Sequence, residues 1–181
     1  MALLDAARWG DIEIAEIAAS DAESFQACLD AVAREQRYLA LTSAPPLDDV
    51  RSFVTQNVAN RVPQVVAKHA GVVVGWCDIR PGWAHALQHC GSLGMGVLPE
   101  YRGRGLGRGL LRACVALAAQ RGITRVELEA RADNVRALRL YREFGFQQEG
   151  TKRRGLRMQG EYHDTIVMGL LLPAGSSVPL D

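Results

Sequence analysis

The sequence predicts an α/β (α+β) fold, a mixed, mostly antiparallel, twisted sheet of about seven strands flanked by four helices. Short stretches of apolar–polar alternation are interleaved with amphipathic segments of helical period, in the order β-α-α-β-β-β-α-β-α-β-β. The 181 residues, 48% hydrophobic and 23% charged, suit one domain with a full core, roughly 11–171. A turn rich in glycine and arginine at 102–109 divides a strand from a long apolar helix near the middle of the chain.

Each element has its own signal. Residues 12–17 alternate as a strand, and Ser20 or Asp21 then caps a helix through about Arg34, with Phe25, Cys28, Leu29 and Val32 on one face. The linker 35–46 holds a Pro-Pro pair and reads as a structured loop. Asp48 or Asp49 opens a second helix that is apolar at Val50, Phe53, Val54 and Val58. Two strands, 64–69 and 72–79, meet at Ala70-Gly71 as a hairpin. A loop follows at 81–86, then a strand at 89–98 and a helix ending near 120–122. Residues 124–130 alternate as a strand, and Asp133-Asn134 opens a helix that stops at Gly145. A strand at 146–151, a basic stretch Lys152-Arg153-Arg154, a turn near Gly160 and a strand at 165–171 complete the order. The tail 173–181 is expected to fray.

The central turn predicts a seat for a polyphosphate. Glycines before a helix let backbone N–H groups approach a ligand, the first helical N–H groups lack internal partners, and the helix dipole favours an anion there. Arg102, Arg104 and Arg108 add guanidinium groups suited to phosphate. Spacing separates the loop families. A P-loop needs Gly-Lys followed by Ser or Thr, and no lysine occurs in the turn. A dinucleotide fingerprint needs G-x-G-x-x-G or a final Ala, whereas the triplets starting at Gly103, Gly105 and Gly107 end on Arg108, Leu110 and Arg112. Glu127, 20 residues beyond Gly107, is the one echo of a ribose-binding acid. The pattern matched is Arg or Gln, two residues, Gly, one residue, Gly or Ala, as Arg102-Gly103-Arg104-Gly105-Leu106-Gly107.

In that motif and in its element order the sequence resembles the GNAT superfamily of N-acetyltransferases over roughly 11–171, closest to bacterial small-molecule and L-amino-acid N-acyltransferases. The resemblance implies acetyl-CoA (coenzyme A) as cofactor, its pyrophosphate held by Arg102, Gly103, Arg104, Gly105, Leu106, Gly107 and Arg108. It also implies that Met95 and Val97 pair through their backbones with the pantetheine amides, where the central strand splays from the next. The segment Asn134-Val135-Arg136-Ala137-Leu138-Arg139-Leu140-Tyr141 through Phe146 resembles the family's second cofactor segment. Asn134 and Ala137 would then meet the cofactor arm, and Tyr141 would stand near the thioester sulfur. Asn134 and Tyr141 are seven apart, two helical turns, on one face. Tyr141 read alone is equally a core aromatic, and Asn134 a helix cap.

The chemistry implied is direct attack of a primary amine on the thioester in a ternary complex, with Tyr141 giving a proton to the leaving thiolate. Relatives with a glutamate on the central strand find none here, where the stretch reads His89-Cys90-Gly91-Ser92-Leu93-Gly94. His89, Asp78, Glu127 or Glu129 through a water remain as bases, and spacing singles out none. Glu35, Tyr38, Trp76, His89, Glu129 and Tyr162 are the candidate acceptor contacts. Tyr162 lies in a Gly160–Asp164 segment that resembles one in relatives acting on amino acids. Their plain readings are loop packing, surface charge, core and hairpin turn. The expected acceptor is a small-molecule amine, an amino acid or a related amine. The alternatives are acetylation of a ribosomal protein's N-terminus, a coenzyme A sensor whose chemistry has lapsed, and a nucleotide-dependent oxidoreductase.

A net charge of +1 gives no reason to expect nucleic acid or membrane as partner. Cys28, Cys77, Cys90 and Cys114 show no C-x-x-C pairing and read as reduced thiols in a cytoplasmic protein. His85, His89 and Cys90 lack a second cluster, so no metal is expected. The apolar final strand would suit edge pairing in a homodimer.

Overall fold

The computed structural model describes residues 10–173. Strand β1 (Ile12–Glu16) turns Ile12 and Ile14 inward, and a short 3-10 turn leads into α1 (Ala22–Arg34), which buries Phe25, Cys28 and Val32. Asp21 does not cap the helix forward as expected. Its Oδ2 accepts from Ala18 N at 2.9 Å and its Oδ1 pairs with Lys68 Nζ at 2.7 Å. A carboxylate this buried is held by the cation that neutralises it. Helix α2 (Leu47–Ala59) has Asp48 and Asp49 in its first turn and buries Val50 and Val54. Val58 departs from the predicted apolar face and is exposed; the neighbouring Asn57 is buried and its amide donates to Gln64 Oε1 at 2.8 Å.

Strands β2 (Gln64–His69) and β3 (Val72–Pro81) join through Ala70 (φ 50°) and Gly71 (φ 80°), the two positive φ values of a tight hairpin turn. The chain continues through β4 (Cys90–Val97), α3 (Leu106–Gln120), β5 (Arg125–Arg131) and α4 (Val135–Phe144). It closes with a hairpin of β6 (Gln147–Met158) and β7 (Glu161–Leu171), longer than the sequence predicts. Lys152-Arg153-Arg154 lies inside β6 rather than between strands. Most of β6 is exposed, and bulges near 148–150 and 152–156 break its register, so no clean alternation marks it. Of the tail expected to fray, 174–181 lie outside the described residues.

The sheet order is β1-β2-β3-β4-β5-β7-β6. Only β4 and β5 run parallel, and they pair only at Cys90–Ser92 against Arg125–Glu127. Beyond Ser92 the two strands part, which opens the splay that the resemblance implies. Strand β7 lies between β5 and β6, so it offers no free edge for the dimer pairing the sequence suggests. The edges are β1 and β6, and β6 is blunted by Lys152, Arg153, Arg154 and Arg157.

Two cores sit on the two faces. On one, Leu106, Leu110, Leu111 and Cys114 of α3 pack on Val65, Cys77, Ile79 and Val126, with Leu138 and Tyr141 of α4 beside them. On the other, α1 and α2 pack Phe25, Val50 and Val54 on Val66, Val73 and Trp76. Each large side chain buried this way contributes about 1.5–3 kcal/mol. The same packing fixes α3 and α4 at the mouth of the splay. Among the described residues no helix is long and apolar enough to cross a membrane.

Candidate active site

The phosphate loop begins where β4 stops. A 3-10 turn at Pro99–Tyr101 is followed by Gly103 (φ 84°) and Gly105 (φ 82°), both in the left-handed region that glycine enters at no steric cost. Gly105 is the N-cap of α3, and the helix's first bonds run from Arg108 N (3.0 Å) and Gly109 N (3.2 Å) to Gly105 O. The N–H groups of Leu106 and Gly107 therefore have no partner within the helix. The Leu106 side chain is in the core, so only its backbone faces the loop.

The arginines divide. Arg102, expected as a mobile phosphate ligand, is committed elsewhere: Nε donates to Val97 O at 2.7 Å, Nη1 to Glu35 Oε2 at 2.9 Å and Nη2 to Glu35 Oε1. A planar fork matches a carboxylate in two bonds, and that pairing takes the group out of the loop. Arg108 pairs with Glu143 of α4. Arg104 is exposed and has no ion pair among the described residues. Arg136, which the sequence reading passed over, is the remaining cation; its Nη2 lies 3.4 Å from where a Cβ on Gly103 would stand.

Ladder phase decides what faces the splay. Leu98 N donates to Val74 O at 2.9 Å, so Val97–Gly75 and Met95–Cys77 are non-hydrogen-bonded pairs. The peptide groups of Met95 and Val97 therefore point away from β3, into the gap that β5 has left. Arg102 takes the Val97 carbonyl, leaving the Met95 N–H and C=O and the Val97 N–H. Across the gap, Asn134 Oδ1 caps α4 by accepting from Ala137 N at 3.2 Å, which leaves its NH₂ group to the cleft. Two turns on, Tyr141 is buried with its ring 5.7 Å from Phe146. Burial pushes the phenol well above its ordinary pKa. A bare glycine turn at a helix N-terminus, continued by unpaired strand peptides, fits a polyphosphate that carries an extended amide arm.

A cavity of about 720 Å³ opens beside this seat. Phe25, Leu29, Tyr38, Leu39, Phe53 and Trp76 form its apolar wall, and Asp78, Glu129, Asn134 and Tyr141 face it from the sheet and α4. Trp76 is packed edge-to-face on Phe25 at 5.8 Å and against Gly96, where any Cβ would lie 2.3 Å from the indole. Tyr38 lies under Arg37 (5.0 Å) and Arg131 (5.6 Å). A second hollow of about 290 Å³, lined by Arg37, Arg131, Glu161 and His163 among others, adjoins it behind that stack.

Of the four bases left open by the sequence, the structure brings two into the cavity. Asp78 is 7% exposed, opposite Gly94, whose missing side chain leaves the carboxylate room; a Cβ there would stand 3.2 Å from Oδ1. Burial pushes the Asp78 carboxyl up to about 6, against the pull of Arg80, 3.4 Å away, and of a hydrogen bond from Trp76. Glu129 is the opposite case. Burial would raise it, but Lys152 Nζ at 2.5 Å and the Thr165 hydroxyl both donate to it and hold it below the usual carboxylate range. The signal for Asp78 was present in the sequence as one acid inside the otherwise apolar run 72–79.

Three of the candidates stand apart from the main cavity. His89 is exposed at the far end of β4, its Nε2 3.2 Å from Cys90 Sγ, and does not line the cavity. Tyr162 is 56% exposed on the β6–β7 hairpin, between Arg154 (5.1 Å) and Arg157 (5.4 Å). Glu127 is exposed beside Arg125 at 3.7 Å, away from the glycine loop, which removes the ribose-binding echo. Glu35 borders the second hollow and the loop rather than the main cavity. Among the described residues no three His, Cys, Asp or Glu side chains gather closely enough to hold a metal.

Comparison with known proteins returns a match between residues 25–146 and the model of the acetyltransferase (GNAT) family. Similar curated proteins include the N-alpha-acetyltransferase RimI of Mycobacterium tuberculosis, 42% identical over 97 residues, 53% of this chain and 59% of that protein. The L-amino acid N-acetyltransferase AaaT of Escherichia coli is 30% identical over 108 residues, 59% of this chain and 67% of that one. The chain thus spans about three fifths of the length of the first of these relatives. Among solved structures, an acetyltransferase from Streptococcus pneumoniae superposes with a TM-score of 0.84 at 25% identity, covering 90% of this chain and 99% of that one.

Proposed function

Since the chain belongs to the acetyltransferase (GNAT) family, we propose that it acts as a single-domain, acetyl-CoA-dependent N-acetyltransferase on a small primary amine bearing a large apolar group. The observation that carries this reading is Asp78, with its carboxyl near 6, set in an aromatic-walled cavity that Met95 and Tyr141 also line. A carboxylate so poised is ionised at neutral pH, yet basic enough to take a proton.

When bound, acetyl-CoA supplies a thioester carbonyl as the electrophile. Backbone groups of 103–107, with Arg104 and Arg136, would hold its phosphates, and the peptide groups of Met95 and Val97 with the Asn134 amide would hold its arm. The free Met95 or Val97 N–H is placed to donate to an oxygen that gains charge. Asp78 takes the ammonium proton of the acceptor, directly or through a water, and so frees its lone pair. Burial raises the Tyr141 pKa, so the phenol keeps its proton at working pH and would give it to the thiolate as coenzyme A leaves. Phe25, Phe53 and Trp76 keep water from the reacting groups.

A second reading is acetylation of a peptide N-terminus. The hollow behind Tyr38 and Arg131 favours it, since residues following the amine would have a place to lie. Release of free thiol from acetyl-CoA against amino acids, apolar amines, polyamines and short peptides with free N-termini tests both. Turnover of apolar amines or amino acids supports the first reading, and turnover confined to peptides replaces it with the second. Acetyl-CoA binding without turnover on any of them would point to a sensor.

A further inference from the structure

Glu35 lies outside the acceptor cavity, yet through Arg102 it ties the element that walls that cavity to the element that builds the phosphate seat. It is the residue at which α1 ends; Gln36 follows with φ 47°, and the chain enters the loop 35–46, whose Tyr38, Leu39 and Pro45 form part of the cavity wall. The loop's other side-chain anchors lead elsewhere. Arg131 Nη1 of β5 donates to Arg37 O at 2.6 Å, and Asp30 Oδ1 of α1 accepts from Ala44 N at 2.9 Å. Toward the phosphate loop the link is the two-pronged pair of Glu35 with Arg102. Among the described residues no other side-chain hydrogen bond joins 35–46 to 97–109. Arg102 in turn grips the last carbonyl of β4.

The pair is well suited to carry coupling. Its side chains are 26% and 30% exposed, so the charges are partly desolvated and the geometry is fixed by three bonds to one guanidinium. Arg102 sits one residue before Gly103, and seating an anion on the turn fixes the backbone that carries it. The fork passes that orientation to Glu35, and Glu35 is the hinge of the acceptor loop. We propose that Glu35 is a positioning residue that makes acetyl-CoA binding order the acceptor loop 36–46. The inference rests on the acetyl-CoA reading of the phosphate loop.

Amide hydrogen exchange, with and without acetyl-CoA, tests it without need of the acceptor. In the unaltered protein, acetyl-CoA should slow exchange at 103–109 and also at 36–46, the latter by roughly fivefold or more, the low end of ordinary coupling between sites. In Glu35→Gln, which keeps the shape and removes the charge, acetyl-CoA should still slow exchange at 103–109 and no longer at 36–46. Protection at 103–109 without protection at 36–46 in the unaltered protein would overturn the coupling and leave the cofactor reading standing. Protection of 36–46 that survives in Glu35→Gln would overturn the role of Glu35. No protection at 103–109 in the unaltered protein would overturn the cofactor reading and the coupling with it. The first and third of these outcomes come from the unaltered protein alone, so they stand even if the variant folds poorly.

Discussion

The phosphate loop and the acceptor cavity lie on either side of the same few residues of β4, yet one is built from backbone and the other from side chains. The loop depends on left-handed glycines, on a helix N-terminus and on strand peptides freed by a splay. The glycines and the helix N-terminus need only local sequence. The cavity gathers Phe25 and Phe53 from two helices, Trp76 and Asp78 from β3, and Tyr141 from α4, residues more than a hundred positions apart. A backbone site tolerates changes in side-chain identity and fails when its conformation or charge is altered. A side-chain site behaves the other way, and its groups can be altered one at a time. That difference orders the predicted effects.

The largest effect is expected where charge is placed in the backbone site. Gly105→Asp puts a carboxylate where phosphate oxygens would sit. At an effective dielectric near 20 the repulsion costs about 2–4 kcal/mol, roughly thirtyfold or more in affinity for acetyl-CoA by calorimetric titration. The fold should survive, because aspartate is a favoured N-cap and visits the left-handed region more readily than most residues. Undiminished affinity in a folded variant would break the assignment of the loop.

Asp78→Asn should lower kcat/KM by roughly 10²–10⁴-fold, the usual contribution of positioned proton transfer. The unaltered enzyme should lose activity as pH falls below about 6, and the variant should lose that acid limb. The same carboxyl has a stability signature. Folded, it takes up its proton near 6; unfolded, it does so near 4. Between those values the folded state binds more protons, so stability falls as pH rises, and the cost persists at neutral pH. Asp78→Asn should therefore raise the melting temperature at pH 7 and leave it unchanged well below pH 4. An unaltered acid limb would remove Asp78 as the base.

Tyr141→Phe comes next. The raised pKa makes the phenol a reluctant donor, so a loss in kcat of about 10²-fold, the low end for this kind of catalysis, is expected. Affinity for acetyl-CoA and melting temperature should hold, since the hydroxyl makes no hydrogen bond among the described residues and the ring packing on Phe146 remains. Unchanged kcat across pH would leave Tyr141 as a packing residue.

Legibility in the sequence follows the same division. The glycine turn, the α4 cap at Asn134 and the element order could be read directly, because each depends on neighbours within a few positions. The pairing of Arg102 is not legible for a physical reason: its motif position says where the guanidinium starts, and a carboxylate 67 residues away decides where it goes. His89 and Asp78 looked equivalent as bases, because nothing local tells which end of a strand borders a cavity. The strand β6 was cut short because an exposed edge strand needs no alternation.

The smallest effect is expected at the other acid of the cavity, and it is the sharpest contrast with Asp78. Glu129 already accepts from Lys152 and Thr165, which hold its pKa below the usual range and leave it little basicity to offer. Glu129→Gln should change kcat/KM by no more than about twofold, the scale of an ordinary surface substitution, and should keep the acid limb near 6. Its stability effect should also run opposite to that of Asp78. A lowered folded pKa gives stability that is present at neutral pH and is lost as pH falls through that value. The Gln variant should thus melt slightly lower at pH 7, with the gap closing in acid, whereas Asp78→Asn melts higher. If both variants shifted in the same direction, one of the two carboxylates would have the wrong partners assigned, and the division of labour between them would have to be redrawn.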